Sequence, residues 1–252
     1  EKFFEEKLYP LQDGVLATLA RAFAQLSGPA PFLTGGTALS RFYFGHRYSD
    51  DLDFFMSADP SYGETVELAL GALDGAGYRI EGGSLIRADT YTRVSVVRDD
   101  VPLKIDIVND VAAHFGDFSR WDRYPKVDGL QNILSNKITA MYRLEPKDAV
   151  DLREIALHKN FSWIDAMKEA DAKEAGVDAP TIAELIETFP KELFDAVKWR
   201  IRPERELFFE DLKAMARDII EGRENSLFCS PRLSGSFNGT SISRTSSTGR
   251  PP

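Results

Sequence analysis

The stretch Ser49-Asp50-Asp51-Leu52-Asp53-Phe54-Phe55 decides how the chain is read. From Asp51 to Phe55 it alternates polar and apolar residues, the period-2 signature of a strand with one buried face. Residues two apart on a strand face the same way, so Asp51 and Asp53 project together while Leu52 and Phe54 face the core. Upstream, Phe32-Leu33 starts a short strand that turns at Gly35-Gly36 into a short helix, Ala38 to Phe44. Downstream, Leu103 to Val108 reads as another strand, with Lys104, Asp106 and Val108 on one face. If the two acidic strands are neighbours, Asp51, Asp53 and Asp106 converge.

Working outward, Leu11, Val15, Leu19, Phe23 and Leu26 recur at three- and four-residue steps and predict an amphipathic helix over Leu8 to Leu26. A second helix starts at Asp59-Pro60-Ser61, carries Val66, Leu70 and Leu73, and closes at Gly75 and Gly77. Tyr78 to Ile80 and Tyr91 to Val97 are further strands, and Asp99-Asp100 is the turn of a hairpin. After about residue 128 the pattern is helical. The segments are Leu130 to Leu144, Asp148 to Lys159, Ser162 to Ala175, Thr181 to Phe189 and Glu204 to Gly222. The fold class expected is α+β: a small mixed, largely antiparallel sheet with flanking helices, followed by a C-terminal helical lobe. The domains expected are 1–127 (α/β), 128–225 (helical) and a disordered tail at 226–252, with a cleft between the two lobes. The tail reading rests on 11 Ser or Thr in 27 positions, together with Gly and Pro.

Composition narrows the function classes. No apolar run approaches the roughly 20 residues needed to span a bilayer, which excludes a membrane-spanning helix. The first residues, Glu1 to Lys7, are too charged for a signal peptide, and the start at Glu1 rather than Met reads as a fragment. A single cysteine, Cys229, excludes an internal disulfide framework, fits a reducing cytoplasm and is given no role. The net charge is −9; removing the three cations of the tail leaves −12 for residues 1–225. Such a chain is not a general polyanion binder. His46, His114 and His158 do not stand at metal-ligand spacing, so a zinc site is rejected.

Three close carboxylates repel one another and need compensation. Mg²⁺ supplies it with hard oxygen ligands and phosphate-bound substrates, Mn²⁺ being a substitute; Asp51, Asp53 and Asp106 are the expected ligands. Asp106 is alternatively a general base toward an acceptor hydroxyl. Gly35 and Gly36 let backbone approach a phosphate, and Thr37 adds a hydroxyl. Taken singly, an Asp-x-Asp is ordinarily a solvated turn and a Gly-Gly a plain turn. The combination of Gly-Gly-Thr, an acidic pair on an apolar strand and a third Asp on a later strand is what points to a nucleotide-plus-metal site. Arg41 and Arg47 flank the acidic strand, where they pair with its carboxylates or grip phosphate. Ser49 and Asp50 shape the turn entering it. The basic run Lys198-Trp199-Arg200-Ile201-Arg202-Pro203-Glu204-Arg205 is either a solvated corner or an RNA contact.

The segments Phe32-Leu33-Thr34-Gly35-Gly36-Thr37-Ala38-Leu39-Ser40-Arg41 and His46-Arg47-Tyr48-Ser49-Asp50-Asp51-Leu52-Asp53-Phe54-Phe55 resemble the AbiEii/AbiGii family. These are nucleotidyltransferase-like toxins within the DNA polymerase β-like superfamily. Lys137, in Asn136-Lys137-Ile138-Thr139-Ala140, resembles that family's helical lysine motif, and Asp148-Ala149-Val150-Asp151-Leu152 its Asp-x-x-Asp-Leu motif. The resemblance runs from about residue 10 to 220. It implies transfer of a nucleotide from an NTP to a hydroxyl acceptor such as tRNA or another RNA, and a cognate antitoxin encoded nearby. Asp51, Asp53, Asp106, Lys137 and Asp151 are then catalytic, and Gly35, Gly36, Thr37, Arg47, Lys137 and Asp148 bind nucleotide. From the residues alone, Lys137 is also a snorkelling lysine, Asp148 a helix N-cap and Asp151 a first-turn acid. Two other readings stand beside this one: a nucleotidyltransferase acting on an antibiotic or other small molecule, and a nucleotide-binding module without turnover.

Overall fold

The computed structural model describes residues 1–228. One mixed sheet carries the first half, with strands β1 (Phe32–Thr34), β2 (Leu52–Ser57), β3 (Arg79–Ile80), β4 (Ile86–Arg87), β5 (Tyr91–Arg98), β6 (Val101–Asp110), β7 (Ser119–Trp121) and β8 (Tyr124–Val127). Its order is β3-β5-β6-β2-β1-β8-β7, with β4 also on β5. Pairing is antiparallel except for β2 with β6 and β1 with β8. Strands β4, β7 and β8 were not expected from the sequence. They are short, and β8 contains Pro125, so none shows a period-2 run. The β5–β6 turn is Asp99-Asp100, both with positive φ, as a tight hairpin requires.

The acidic strand follows the alternation. Leu52, Phe54 and Met56 are buried, whereas Asp53 and Phe55 are partly exposed. The buried face packs with Ile105 and Ile107 of β6 and Val94 and Val96 of β5 into a core shared with helices α1 (Tyr9–Phe23) and α3 (Tyr62–Gly75). Phe54 sits at its centre, its ring 6.0 Å from Phe23 and 5.5 Å from Tyr124. Helix α1 ends at Phe23, before the expected Leu26, because the backbone tightens there into turns in which Gln25 and Leu26 donate three residues back; ahead of it Phe4–Leu8 forms a wider helical turn. The Gly-Gly turn is itself the first turn of helix α2 (Gly35–Ala38), which runs on as a wide turn over Leu39–Tyr43.

The second half comprises α4 (Leu130–Ala140), α5 (Pro146–His158), α6 (Trp163–Lys173), α7 (Ala179–Glu187), α8 (Leu193–Ala196) and α9 (Arg205–Glu221). Helix α4 ends early because Leu144 adopts a left-handed backbone after a short turn at Met141–Arg143. Helix α5 begins at Pro146, which places Asp148 inside the first turn; the expected N-cap role falls to Glu145. The buried apolar cluster is continuous from Phe4 to Leu227. Residues 226–228, expected in the tail, include the buried Leu227, and Asn225 donates to the carbonyls of Ala156 and Lys159. The rest of the expected tail, Cys229 included, lies outside the described residues. No helix among the described residues is long and apolar enough to cross a membrane.

The two halves meet at the loop that leads into β2. Tyr48 N–H donates to the Lys198 carbonyl at 2.7 Å, and the N–H groups of Arg200 and Ile201 donate to the His46 carbonyl. The basic run is thereby tied to the loop, and its charges are paired: Lys198 with Asp50, Arg200 with Glu5, Arg202 with Asp195.

Phe54→Ala is expected to lower unfolding free energy by roughly 3–5 kcal/mol, since it empties a fully buried aromatic site. Chemical denaturation measures this; a loss under about 1 kcal/mol would mean that the acidic strand is not anchored through this face.

Candidate functional site

A cleft of about 530 Å³ lies between the sheet and the α4–α5 corner, lined among others by Gly35, Gly36, Asp51, Asp53, Asp106, Arg47, Lys137 and Asp148. Its floor is set by strand register. Asp53 stands opposite Asp106 across the parallel β2–β6 pair, and Thr34 opposite Asp53 across β1–β2. Asp51 precedes β2 on the same side. The flanking acids are each held by a cation from the sheet. Lys104 Nζ lies 2.6 Å from Asp51, and Arg93, opposite Asp106 on β5, donates twice to it at 2.8 Å. Tyr91 adds a hydroxyl hydrogen bond to Asp106 at 3.3 Å.

Asp53 sits between them. Burial at the cleft floor and the charges of Asp106 and Asp51 push its carboxyl up to about 6, against weaker opposition from Lys137 and Lys104. Gly35 explains how the turn comes so close. It has a positive φ of 71°, and a Cβ there would lie 2.6 Å from Asp53 Oδ2. A Cβ at Gly36 would collide with the Arg47 guanidinium. Both glycines are therefore required by packing as well as by any ligand.

The opposite wall is a buried ionic network. Asp151 accepts two hydrogen bonds from Arg47 at 2.7 Å, lies 2.7 Å from Lys137 Nζ, and contacts His46 Nε2 at 2.8 Å. Lys137 also donates to Asp148 at 2.7 Å. Burial alone would raise the Asp151 carboxyl, but the charges of Arg47 and Lys137 and the hydrogen bonds from Arg47 and His46 outweigh it and hold it well below the ordinary carboxylate range. Two buried acids thus fix two cations, Arg47 and Lys137, whose side chains reach the cleft.

Several expected site residues take other places. Thr37 is fully buried and does not line the cleft; its hydroxyl donates to the Asp51 carbonyl and shares a hydrogen bond with Ser49 at 2.9 Å. Through these bonds it braces the entrance of the acidic strand. Asp151 is also fully buried behind Arg47 and Lys137 and does not line the cleft; it holds those two cations. Arg41 turns away, bridging Asp13 and lying 4.3 Å over Tyr9, and Arg47 serves Asp151 rather than the acidic strand. His46, set aside as a metal ligand on spacing, is a member of the network. Alternation puts Lys104 on the face of Asp106, but nothing in sequence spacing pairs Arg93 with that acid.

The donor set fits a hard divalent cation, being three carboxylates of which the middle one has no cation of its own. Among the described residues no group of three or more His, Cys, Asp or Glu side chains stands arranged to hold a metal ion; Lys104 lies against Asp51 and Arg93 against Asp106.

The raised Asp53 carboxyl has a stability consequence. The folded state keeps that proton between about pH 4 and 6 while the unfolded chain loses it, so stability falls as pH rises through this window. Asp53→Asn is expected to stabilise the protein by roughly 1–3 kcal/mol at pH 8 and to change little at pH 4. Thermal unfolding at both values tests this; equal effects at the two pH values would contradict it. Asp151→Ala works in the other direction. It leaves Arg47 buried without its acid and Lys137 with Asp148 alone, and is expected to cost roughly 3–5 kcal/mol at neutral pH, read by chemical denaturation.

Comparison with known proteins agrees with this geometry. A family model described as the nucleotidyl transferase AbiEii toxin of type IV toxin–antitoxin systems matches residues 17–233. No curated protein matches the chain. Among solved structures, JHP933 from Helicobacter pylori is similar at a TM-score of 0.53 and 17% identity, over 85% of this chain and 93% of that one. A candidate nucleotidyltransferase from H. pylori is similar at 0.52 and 18% identity, over 84% and 94% of the two chains. At these identities the two structures speak for the fold. The family match spans most of the chain, sheet and helical wall alike, and the chain accordingly belongs to the AbiEii family of nucleotidyl transferase toxins.

Proposed function

We propose that the chain transfers a nucleoside monophosphate from an NTP to a hydroxyl acceptor, with Mg²⁺ (Mn²⁺ substituting), and that the acceptor is tRNA or another cellular RNA. The observation that carries this reading is Asp53. It is a carboxylate without a cation of its own, between Asp51 and Asp106 at the floor of the cleft, facing the Gly35–Gly36 turn.

The triphosphate lies along the glycine turn, where no side chain holds it off the backbone. Arg47 and Lys137 from the opposite wall face its charge as fixed donors, kept in place by Asp151 and Asp148. The acceptor oxygen attacks the α-phosphorus, the bond from that phosphorus to the β-bridging oxygen breaks, and pyrophosphate leaves with the bond's electron pair. The acceptor's proton passes to the Asp106 carboxylate, with Tyr91 and Arg93 fixing that side chain. Asp51, Asp53 and Asp106 would hold Mg²⁺, which when bound offsets their mutual repulsion and neutralises charge on the phosphates. Lys104 and Arg93 keep the outer acids compensated before loading. In the cell, such modification of an essential RNA is what a toxin of this family would do, and a cognate antitoxin would oppose it.

The test is incubation with each α-labelled NTP, Mg²⁺ and total RNA or protein. Label is expected in RNA, abolished by chelation and reduced on the order of a thousand-fold in Asp53→Asn. No transfer to any acceptor, with no NTP binding by calorimetry, would overturn the proposal. Independently of turnover, millimolar Mg²⁺ is expected to raise the thermal midpoint of the wild type at pH 8 and leave that of Asp53→Asn unchanged. An equal shift in both would contradict the assignment of Asp53 as a ligand.

A further inference from the structure

Strand register divides the cleft floor into two rows. The first, Thr34–Asp53–Asp106–Arg93, is polar and charged. The second, Phe32–Phe55–Val108–Tyr91, crosses the same four strands two residues further along and is apolar. Two residues of strand separate the rows by about 7 Å. Phe55, Val108 and Tyr91 are each partly exposed on the cleft side of the sheet, and Phe55 lines the cleft itself. Phe32 is buried and backs the Phe55 ring at a centroid distance of 6.3 Å. The Tyr91 ring lies under the Arg93 guanidinium at 5.5 Å, and its hydroxyl reaches Asp106. An apolar shelf therefore adjoins the acid that takes the acceptor's proton.

The two ends of the floor differ in kind. The glycine turn follows Thr34 on β1 and packs against Asp53 and Arg47, so it continues away from Phe32 and lies at the end of the floor opposite the shelf. In phosphoryl and nucleotidyl transfer the attacking and leaving oxygens stand roughly in line. If pyrophosphate leaves toward the glycine turn, the acceptor enters over the shelf.

Resting on the function proposed above, we infer that Phe55 and Tyr91 are the specificity-determining residues of the acceptor subsite, and that the shelf takes a planar nucleobase adjoining the reacting hydroxyl. A base has a π-face whatever its identity and stacks on such side chains without sequence preference. A ringless polyol or polycationic sugar would gain nothing from an apolar row. Tyr91 has a second part: its hydroxyl positions Asp106.

The experiment compares wild type, Phe55→Leu and Tyr91→Phe in labelled-NTP transfer to total RNA, with thermal midpoints confirming folding. Phe55→Leu keeps apolar bulk and loses the ring. It is expected to raise the KM for RNA between about 5-fold and 150-fold, with the KM for NTP unchanged. Tyr91→Phe keeps the ring; its KM for RNA is expected to hold while kcat falls and the pH profile of kcat shifts. Adenosine is expected to compete with RNA for the wild type and ribose is not. A rise in the KM for NTP in Phe55→Leu, with that for RNA unchanged, would place the nucleotide's own base on the shelf and overturn the inference. So would wild-type label transfer in which the variants behave alike or in which only a protein or a ringless drug is the acceptor. Should the wild type transfer no label at all, the function proposed above fails, and equilibrium dialysis with labelled adenosine still decides the shelf. Binding by the wild type that weakens in Phe55→Leu supports it, and equal or absent binding overturns it.

Discussion

Parallel pairing of β2 with β6 forces two carboxylates, Asp53 and Asp106, into register, and Asp51 joins them from the strand entrance. Like charges at that spacing resist ionising together, and the surrounding protein is arranged around this cost. Lys104 and Arg93 compensate the outer acids from the sheet itself. Asp53 is left with burial and two negative neighbours. Such an arrangement has little to offer a fold on its own account: an apolar side chain at Asp53 would remove the repulsion. Under the function proposed above, a cation and a phosphate chain entering the cleft would turn that repulsion into binding.

The helical half answers with the opposite sign. Asp148 and Asp151 are buried acids, and their use is to hold Lys137 and Arg47 at the wall facing the acidic floor. A buried ion pair is weak evidence for stability, because desolvation consumes most of the attraction, but it fixes geometry well. The same logic extends outward. The loop from His46 to Tyr48 carries Arg47 and leads into Asp51, and it is pinned by backbone hydrogen bonds to residues 198–201. The helical lobe thus bears on both the cations and the entrance of the acidic strand.

Much of this was legible in the sequence because it depends on local periodicity. Alternation placed Asp51 and Asp53 on one face and Leu52 and Phe54 on the other, and the sheet, its hairpin at Asp99-Asp100 and the run of helices follow the expected order. What escaped is what tertiary contact decides. The short strands β7 and β8 exist because β1 offers an edge, which Tyr124-Pro125-Lys126-Val127 does not announce. Thr37 and Asp151 carry the right chemistry for ligand contact, and only burial shows that each serves a neighbour instead. The pairing of Arg93 with Asp106 needs the β5–β6 register, fixed by a hairpin whose exact alignment spacing alone leaves open.

The account stands or falls on Asp53 being the carboxylate whose charge the folded protein leaves uncompensated. Carboxyl-detected NMR of the protein with ¹³C-labelled aspartate measures this directly, with Asp53→Asn assigning the signal. A midpoint of about 6 is expected without divalent cations, moving to markedly lower pH when Mg²⁺ is added. A midpoint near 4 that Mg²⁺ leaves in place would contradict it.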